Sequence, residues 1–446
     1  MPLALSGNYF SRHCDTNKAP YYYICRIRGF ICNSHELESK NMSKRMKNIL
    51  FGVCLWALCL FSCGKKAEYH STEEMFGGLP RYALENGQKL PIDMVGAFAI
   101  RFVVAGDYVI TNHSTGWGGI DYCIGIYNRH TGELTKAAFT GNGPDEYNIV
   151  TGEDRLNDSV FYISTGNGRN HVALYNLNHL HDEPVFRPFD YINRSKISEM
   201  EKETYGRFEG GLAFPALLTL DTTLVARAYE STCTKMFGVY KRGKGLPKYF
   251  IDYPASSNKD KENQFHPMAK FSMYQSHVAI NDDGNKVFNA FSTADIIHFY
   301  SLKDGQLEPF KKYEYSMTSY LTDGNSYGLS SNKSLTYYRR VRWHDGRVYV
   351  LSVGERTPTE YRTLEAEQAN RLEQGKPEKI YLKLLVFSED GDPLHTLYLD
   401  TNPMDIRFSG DKLYALHVNA LGDSEILEYD LSDMKPLSES AIRLAE

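Results

Sequence analysis

Past position 63 the chain holds only two cysteines, Cys123 and Cys233. So few thiols exclude a fold framed by disulfides. Long hydrophobic runs are missing as well. A membrane-spanning helix needs about 20 apolar residues, and the run Ile49–Leu60 has twelve. Basic charge is scarce where it would count. Residues 1–62 carry eight Lys or Arg against three acids, a surplus of five, which leaves −10 for the remainder of a chain whose total is −5. An acidic body of this kind excludes a nucleic-acid footprint and charge-driven adhesion to anionic lipid. Metal-ligand spacing is absent too. His113, His171, His266, His277, His298, His344 and His417 are scattered, with no His-x-x-x-His pair. Neither a metal nor an organic cofactor is expected.

What is present begins with Lys44-Arg45-Met46-Lys47, followed by the apolar run and then Ser62-Cys63-Gly64. A basic cap, a short apolar segment and a small-residue cleavage site make a secretory signal peptide. Cysteine at the cut makes it a lipoprotein signal, with lipid on Cys63. The expected division is an over-extended start over 1–41, a signal peptide over 42–62 and a polar tether over 63–89. Translation would begin at Met42 or Met46. The expected location is the cell envelope, lipid-anchored at the outer membrane and facing the periplasm.

From about residue 90 the chain repeats. A turn followed by a β-branched or aromatic strand recurs around Val109, Val160, Leu224, Val287, Val348 and Leu413, at spacings of 51, 64, 63, 61 and 65. Behind each comes an apolar strand ending in an aromatic and a polar turn, at Tyr127, Tyr175, Tyr240, Tyr300, Phe387 and Tyr429. Short strands rich in Val, Ile, Tyr and Phe and bounded by Asn, Asp and Gly are hairpins. Six units of about four strands predict an all-β, six-bladed β-propeller over 90–446. Residues near 80–90, or Ser440 to Leu444, are expected to complete the last blade. Residues 362–379, rich in helix formers and ending at Gly375-Lys376-Pro377, predict a helical insertion in blade five. Cys123 and Cys233 fall in blades one and three, which are not neighbours. They are expected to be buried free thiols, since a disulfide needs Cα atoms within about 7 Å.

Between the first two repeats lies Gly141-Asn142-Gly143-Pro144-Asp145-Glu146. It lacks the lysine of a Walker loop and the third glycine of a dinucleotide loop. It reads instead as a structured blade-to-blade connection, with Glu146 capping backbone amides. Together with the lipoprotein signal and the six repeats, this segment makes the chain resemble the TolB-like six-bladed β-propeller lipoproteins of anaerobic Gram-negative bacteria. It departs from their pattern at Asp145, where glycine is usual. The resemblance implies a periplasmic platform that binds other molecules, and it supplies no chemistry.

Two acidic stretches, Asp282-Asp283-Gly284 and Glu389-Asp390-Gly391-Asp392, fall at hairpin tips. There Asp-Gly serves the backbone, and the later bidentate Glu of a calcium loop is absent. Arg101, Arg342 and Arg407 are the more informative residues. Each sits in the strand that leads into the turn signature, the innermost strand of blades one, five and six. They are expected beside one another at the channel, facing an anion: a ligand, or acids such as Asp154 and Asp405. The function this favours is a binding or scaffold module for a protein, peptide or glycan. The alternative is a metal-dependent hydrolase or lactonase with its site in the channel. Two or more carboxylates and an Asn converging around room for an ion would favour the enzyme, and a channel lined by arginine and aromatics would favour binding.

Overall fold

The computed structural model describes residues 69–94, 99–113, 121–141, 143, 146–147, 149–166, 171–205, 211–229, 234–254, 271, 274–317, 336–356, 382–419 and 423–437. Cys63 and the apolar run lie outside these residues, as do Cys233, His266, Pro144, Ser440–Leu444 and the segment 362–379.

Six sheets follow one another along the chain, each an antiparallel meander whose first strand is innermost. Blade one is β3 (Ala99–Ala105), β4 (Tyr108–His113), β5 (Tyr122–Asn128) and β6 (Leu134–Phe139). Blade two is β7 (Ile149–Arg155), β8 (Val160–Gly166), β9 (His171–Asn176) and β10 (Asp190–Asn193). Blade three is β11 (Gly211–Leu218), β12 (Thr223–Tyr229), β13 (Lys235–Lys241) and β14 (Lys248–Asp252). Blade four is β15 (Ser276–Ile280), β16 (Lys286–Phe291), β17 (Ala294–Lys303) and β18 (Gln306–Met317). Blade five is β19 (Thr336–His344), β20 (Arg347–Arg356), β21 (Leu382–Ser388) and β22 (Pro393–Leu399). Blade six is β23 (Asp405–Ser409), β24 (Lys412–Val418) and β25 (Ser424–Asp430). The innermost strands touch in cyclic order, β3 to β7, β11, β15, β19, β23 and back to β3. The fold is a six-bladed β-propeller.

The reason the repeats show no clean alternation is visible in the packing. Each of six apolar cores lies between two adjacent blades, so both faces of every sheet are buried. The repeated anchors Val109, Leu224, Val287, Val348 and Leu413 are buried, as are Tyr127, Tyr175, Tyr300, Phe387 and Tyr429. Val160 and Tyr240 are half-buried. Cys123 is a buried free thiol in the core between blades one and two, and burial pushes its pKa up.

The stretch expected as a tether is not one from residue 72 onward. It forms α1 (Thr72–Phe76), β1 (Arg81–Leu84) and β2 (Gln88–Lys89). Ser71 caps α1 by accepting from Glu74 N. Met75 and Phe76 enter the core between blades four and five, with the Phe76 ring edge-on to Phe387 at 5.0 Å. Thr72 N and Oγ1 both donate to the buried carboxylate of Asp295, which also accepts from Tyr338 Oη. β1 then lies parallel to β22 on the outer edge of blade five, and β2 pairs antiparallel with β25 as the fourth strand of blade six. The strand β26 (Lys435–Pro436) caps β1 from the other side. The first of the two expected closing segments therefore completes the ring, and it holds blade five as well. Beyond it, Leu90, Ile92 and Met94 fill the core between blades six and one. At Gly132, φ is +75° and an added Cβ would stand 1.9 Å from Pro91 O, so only glycine lets the blade-one hairpin seat against this segment.

A second helix, α2 (Arg194–Tyr205), links blades two and three and packs Ile197 into the core between them. Among the described residues no helix is long and apolar enough to cross a membrane.

Candidate functional site

The innermost strands carry an uneven charge around the axis. Blades five, six, one and two contribute Arg340, Arg342, Asp405, Arg407, Arg101, Glu153 and Asp154. Blades three and four contribute Leu217, His277 and Val278 to the same cavity. One wall is ionic and the other largely apolar.

Asp405 is the hub of the ionic wall. Its carboxylate is fully buried, and Oδ1 accepts from Arg342 Nη2 at 2.5 Å and from Arg340 Nε at 3.1 Å. The Nε of Arg407 stands 3.8 Å from its Oδ2. Burial alone would raise the Asp405 pKa, but Arg342, Arg340 and Arg407 together hold it at about 2. Arg407 reaches across from blade six. It donates to Phe102 O at 2.6 Å in blade one, and to Asp154 Oδ1 at 2.7 Å and Glu153 O at 3.3 Å in blade two. Arg342 donates from blade five to Ile406 O at 3.0 Å in blade six. Arg101 donates from blade one to Thr151 O at 2.6 Å in blade two. Every one of these guanidinia bridges its own inner strand to another blade's.

The structure therefore brings Arg101, Arg342 and Arg407 together at the axis. Asp405 and Asp154 supply the anions for Arg342 and Arg407. For those two the facing anion is a protein carboxylate, and their removal would cost stability. Arg101 differs. Among the described residues it forms no ion pair within 4 Å, and its one hydrogen bond goes to a backbone carbonyl.

Three further groups at this cavity were not singled out from the sequence. Arg340 shares a face with Arg342, two residues away. Its pKa is lowered to about 10 by burial, with Arg101 and Arg342 adding repulsion against the pull of Asp405. His277 is driven well below its ordinary value by burial and then by Arg340, Arg101 and Arg342. Glu153 is buried and its pKa is raised, burial outweighing Arg101 and the bond from Asn112 Nδ2 to Oε2 at 2.7 Å. Among the described residues its Oε1 has no hydrogen-bond partner.

The axis divides into two chambers that share Asp154, Arg342 and Arg407. The one toward the tight hairpins is lined by residues at the strand ends, among them Arg155, Asn281, Asp282 and Trp343. The other, of about 40 Å³, lies among Arg101, Glu153, Leu217, His277, Val278 and Arg340.

The remaining sequence candidates resolve locally. Glu146 Oε2 accepts from Gly143 N at 2.7 Å, so the carboxylate of the Gly141–Glu146 connection holds the loop's own backbone. A Cβ at Gly141 would stand 2.0 Å from Glu146 Oε2, and one at Gly143 would stand 2.7 Å from its Cδ. The two acidic hairpin tips are bridged to each other. Lys286 Nζ pairs with Glu389 at 3.4 Å and Asp390 at 2.9 Å, and Asn281 Nδ2 donates to Glu389 Oε1 at 2.9 Å. Among the described residues no group of three His, Cys, Asp or Glu is placed to hold a metal. His113 packs at Thr111, and His298 lies between Tyr300 and Glu314. His344 bonds Gly410 O, and His417 stands 3.4 Å from Glu425. Gly324-Asn325-Ser326-Tyr327-Gly328 has the spacing of a nucleophile elbow and lies outside the described residues. Such an elbow needs the strand-to-helix turn of an α/β sheet, which a propeller blade does not provide.

No protein-family model and no curated protein matches the chain. Among solved structures, it is similar to a member of the DUF4221 family from Bacteroides vulgatus, with a TM-score of 0.50 and 12% identity over 80% of this chain and 99% of that one. A putative exported protein from Bacteroides fragilis aligns with a TM-score of 0.46 and 10% identity, over 80% of this chain and 100% of that one. At such identities the first likeness shows the propeller fold alone.

Proposed function

We propose that this chain is a non-catalytic binding module of the cell envelope, tethered by lipid on Cys63 and presenting its channel and long connections to a protein, peptide or glycan. The observation that carries the reading is the chemistry of the axis. Four guanidinia converge there, and Asp405 and Asp154 are paired with Arg340, Arg342 and Arg407. A divalent cation placed among Arg101, Arg340, Arg342 and Arg407 would meet strong repulsion. Asn112 points its amide nitrogen at Glu153, and among the described residues no group of three His, Cys, Asp or Glu is placed to hold an ion. The repulsion favours the binding reading over the lactonase.

The test is direct. Purified protein should show no thermal shift above about 1 °C with millimolar Ca²⁺, Mg²⁺, Mn²⁺ or Zn²⁺, and no turnover of lactones or esters. Metal-dependent turnover would overthrow the binding reading. Anchoring has its own test. Cys63→Ala should move the protein from the membrane to the soluble fraction of its native host. Tight fractionation of that variant with membrane would end the lipoprotein reading.

A further inference from the structure

We propose that the chamber beside Arg101 and Arg340 binds the carboxylate of a small molecule with a short apolar tail, the head against the guanidinia and the tail against Leu217 and Val278. This rests on the reading of the chain as a binding module and names the ligand class of that same channel.

Charge balance is the first support. Arg101, Arg340, Arg342 and Arg407 face Asp154 and Asp405 beside Glu153, so cations outnumber anions in either protonation state of Glu153. The surplus sits at Arg101, which among the described residues has no ion pair, and at Arg340, whose Nε contacts Asp405 while its Nη1 goes to a backbone carbonyl. A half-buried guanidinium without an ion pair gains from an anion that joins it. Burial is the main cause of the lowered pKa of His277 and of Arg340, and the neighbouring guanidinia add to it.

The second support is an orphaned group. Glu153 is 5% exposed, and among the described residues its Oε1 has no partner while Oε2 accepts from Asn112. With its pKa raised, the carboxyl holds its proton more readily than an exposed one does. In its protonated form this carboxyl would be a hydrogen-bond donor toward an added carboxylate.

Size and shape select the class. A cavity of about 40 Å³ has room for roughly three water-sized groups, the extent of a carboxylate with a carbon or two. Planar guanidinium matches planar carboxylate better than it matches a tetrahedral oxyanion. The opposite wall of Leu217 and Val278, both buried, favours methyl or methylene over further polar atoms.

The experiment titrates the full chain with sodium formate, acetate, propionate and butyrate, with sodium chloride, sulfate and phosphate at equal ionic strength as references, read by thermal shift and calorimetry. Acetate or propionate should stabilise saturably above chloride, and butyrate should fall off as the cavity fills. Arg101→Met should weaken that binding at least tenfold with little change in melting in chloride, since Arg101 loses one bond to a carbonyl. Val278→Ile adds a methyl to the cavity, touches no charge and should also weaken binding at least tenfold. Stabilisation equal to chloride in the wild-type chain, or acetate binding unchanged in both variants, overturns the proposal. A sulfate or phosphate response stronger than that of any carboxylate overturns the ligand class. A flat titration from a protein inert toward lactones removes this inference and leaves the binding module standing. Metal-dependent turnover removes the module itself.

Discussion

Replacing Asp405 with alanine destabilises the propeller by about 3–5 kcal/mol, a loss of about 5 °C in melting temperature for a chain of this size. The reasoning follows from what remains. Asp405 is fully buried and shared by Arg340 and Arg342, with Arg407 3.8 Å away. Without it three guanidinia stay in a low-dielectric channel with Asp154 as the nearest counterion, and only Arg407 bonds it. Asp405→Asn retains the volume and loses the charge, so it falls nearly as far. The pH dependence carries a definite sign. The folded pKa of about 2 lies below the unfolded value of about 3.9. The contribution is therefore fully present above about pH 4 and disappears as pH falls through about 2. Denaturant unfolding of wild type and Asp405→Asn between pH 7 and pH 2 measures this. The gap between the two should be constant down to about pH 4 and then narrow. A gap under about 1 kcal/mol at pH 7 would show that the hub is dispensable.

The other large effect comes from the segment before residue 90. A chain starting at Leu90 loses α1, β1 and β2, and with them the buried side chains of Met75, Phe76, Ala83 and Leu84. Burying an apolar side chain of the larger kinds contributes about 1.5–3 kcal/mol, so the gross loss reaches several kcal/mol before backbone pairing is counted. Two sheet edges open at once, β25 in blade six and β22 in blade five. Exposed edges of this sort invite pairing between copies. The truncated chain should therefore aggregate or melt at least 10 °C below a chain that starts at Tyr69, as read by size-exclusion chromatography and thermal melting. Melting within about 2 °C of the longer chain would mean that blades five and six close without the clasp.

The contrast between these two regions shows what a sequence exposes. The blades were legible because each repeats a turn, an apolar anchor and an aromatic, and all of these anchors and aromatics except Val160 and Tyr240 are buried. The clasp was not, because β1 has four residues and β2 two. Strands that short have no periodicity, and their conformation is imposed by β22 and β25. The axis was half legible. Arg101, Arg342 and Arg407 share a position ahead of the turn signature, and Arg340 was recoverable from the two-residue period of β19. Glu153 was not. The register of β7 slips between Val150 and Gly152, that of β3 between Ala99 and Arg101, and that of β19 on both sides of Tyr338. Each slip reverses which alternate residues face the axis, and a single sequence does not show where it falls.

The clasp also sets an order in time. Gln88 and Lys89 pair with Glu428 and Leu427 in β25, and Leu437 N donates to Arg81 O at 2.9 Å. During synthesis β1 emerges more than 300 residues ahead of the strands that hold it, and α1 more than 200 residues ahead of its partner Asp295. Blades one to four have all their own strands before the ring has any means of closing. Met75 and Phe76 must wait unburied until blade five arrives, and Leu84 until blade six. Ring closure is thus a late event of high sequence separation, and the slow phase of refolding belongs to it.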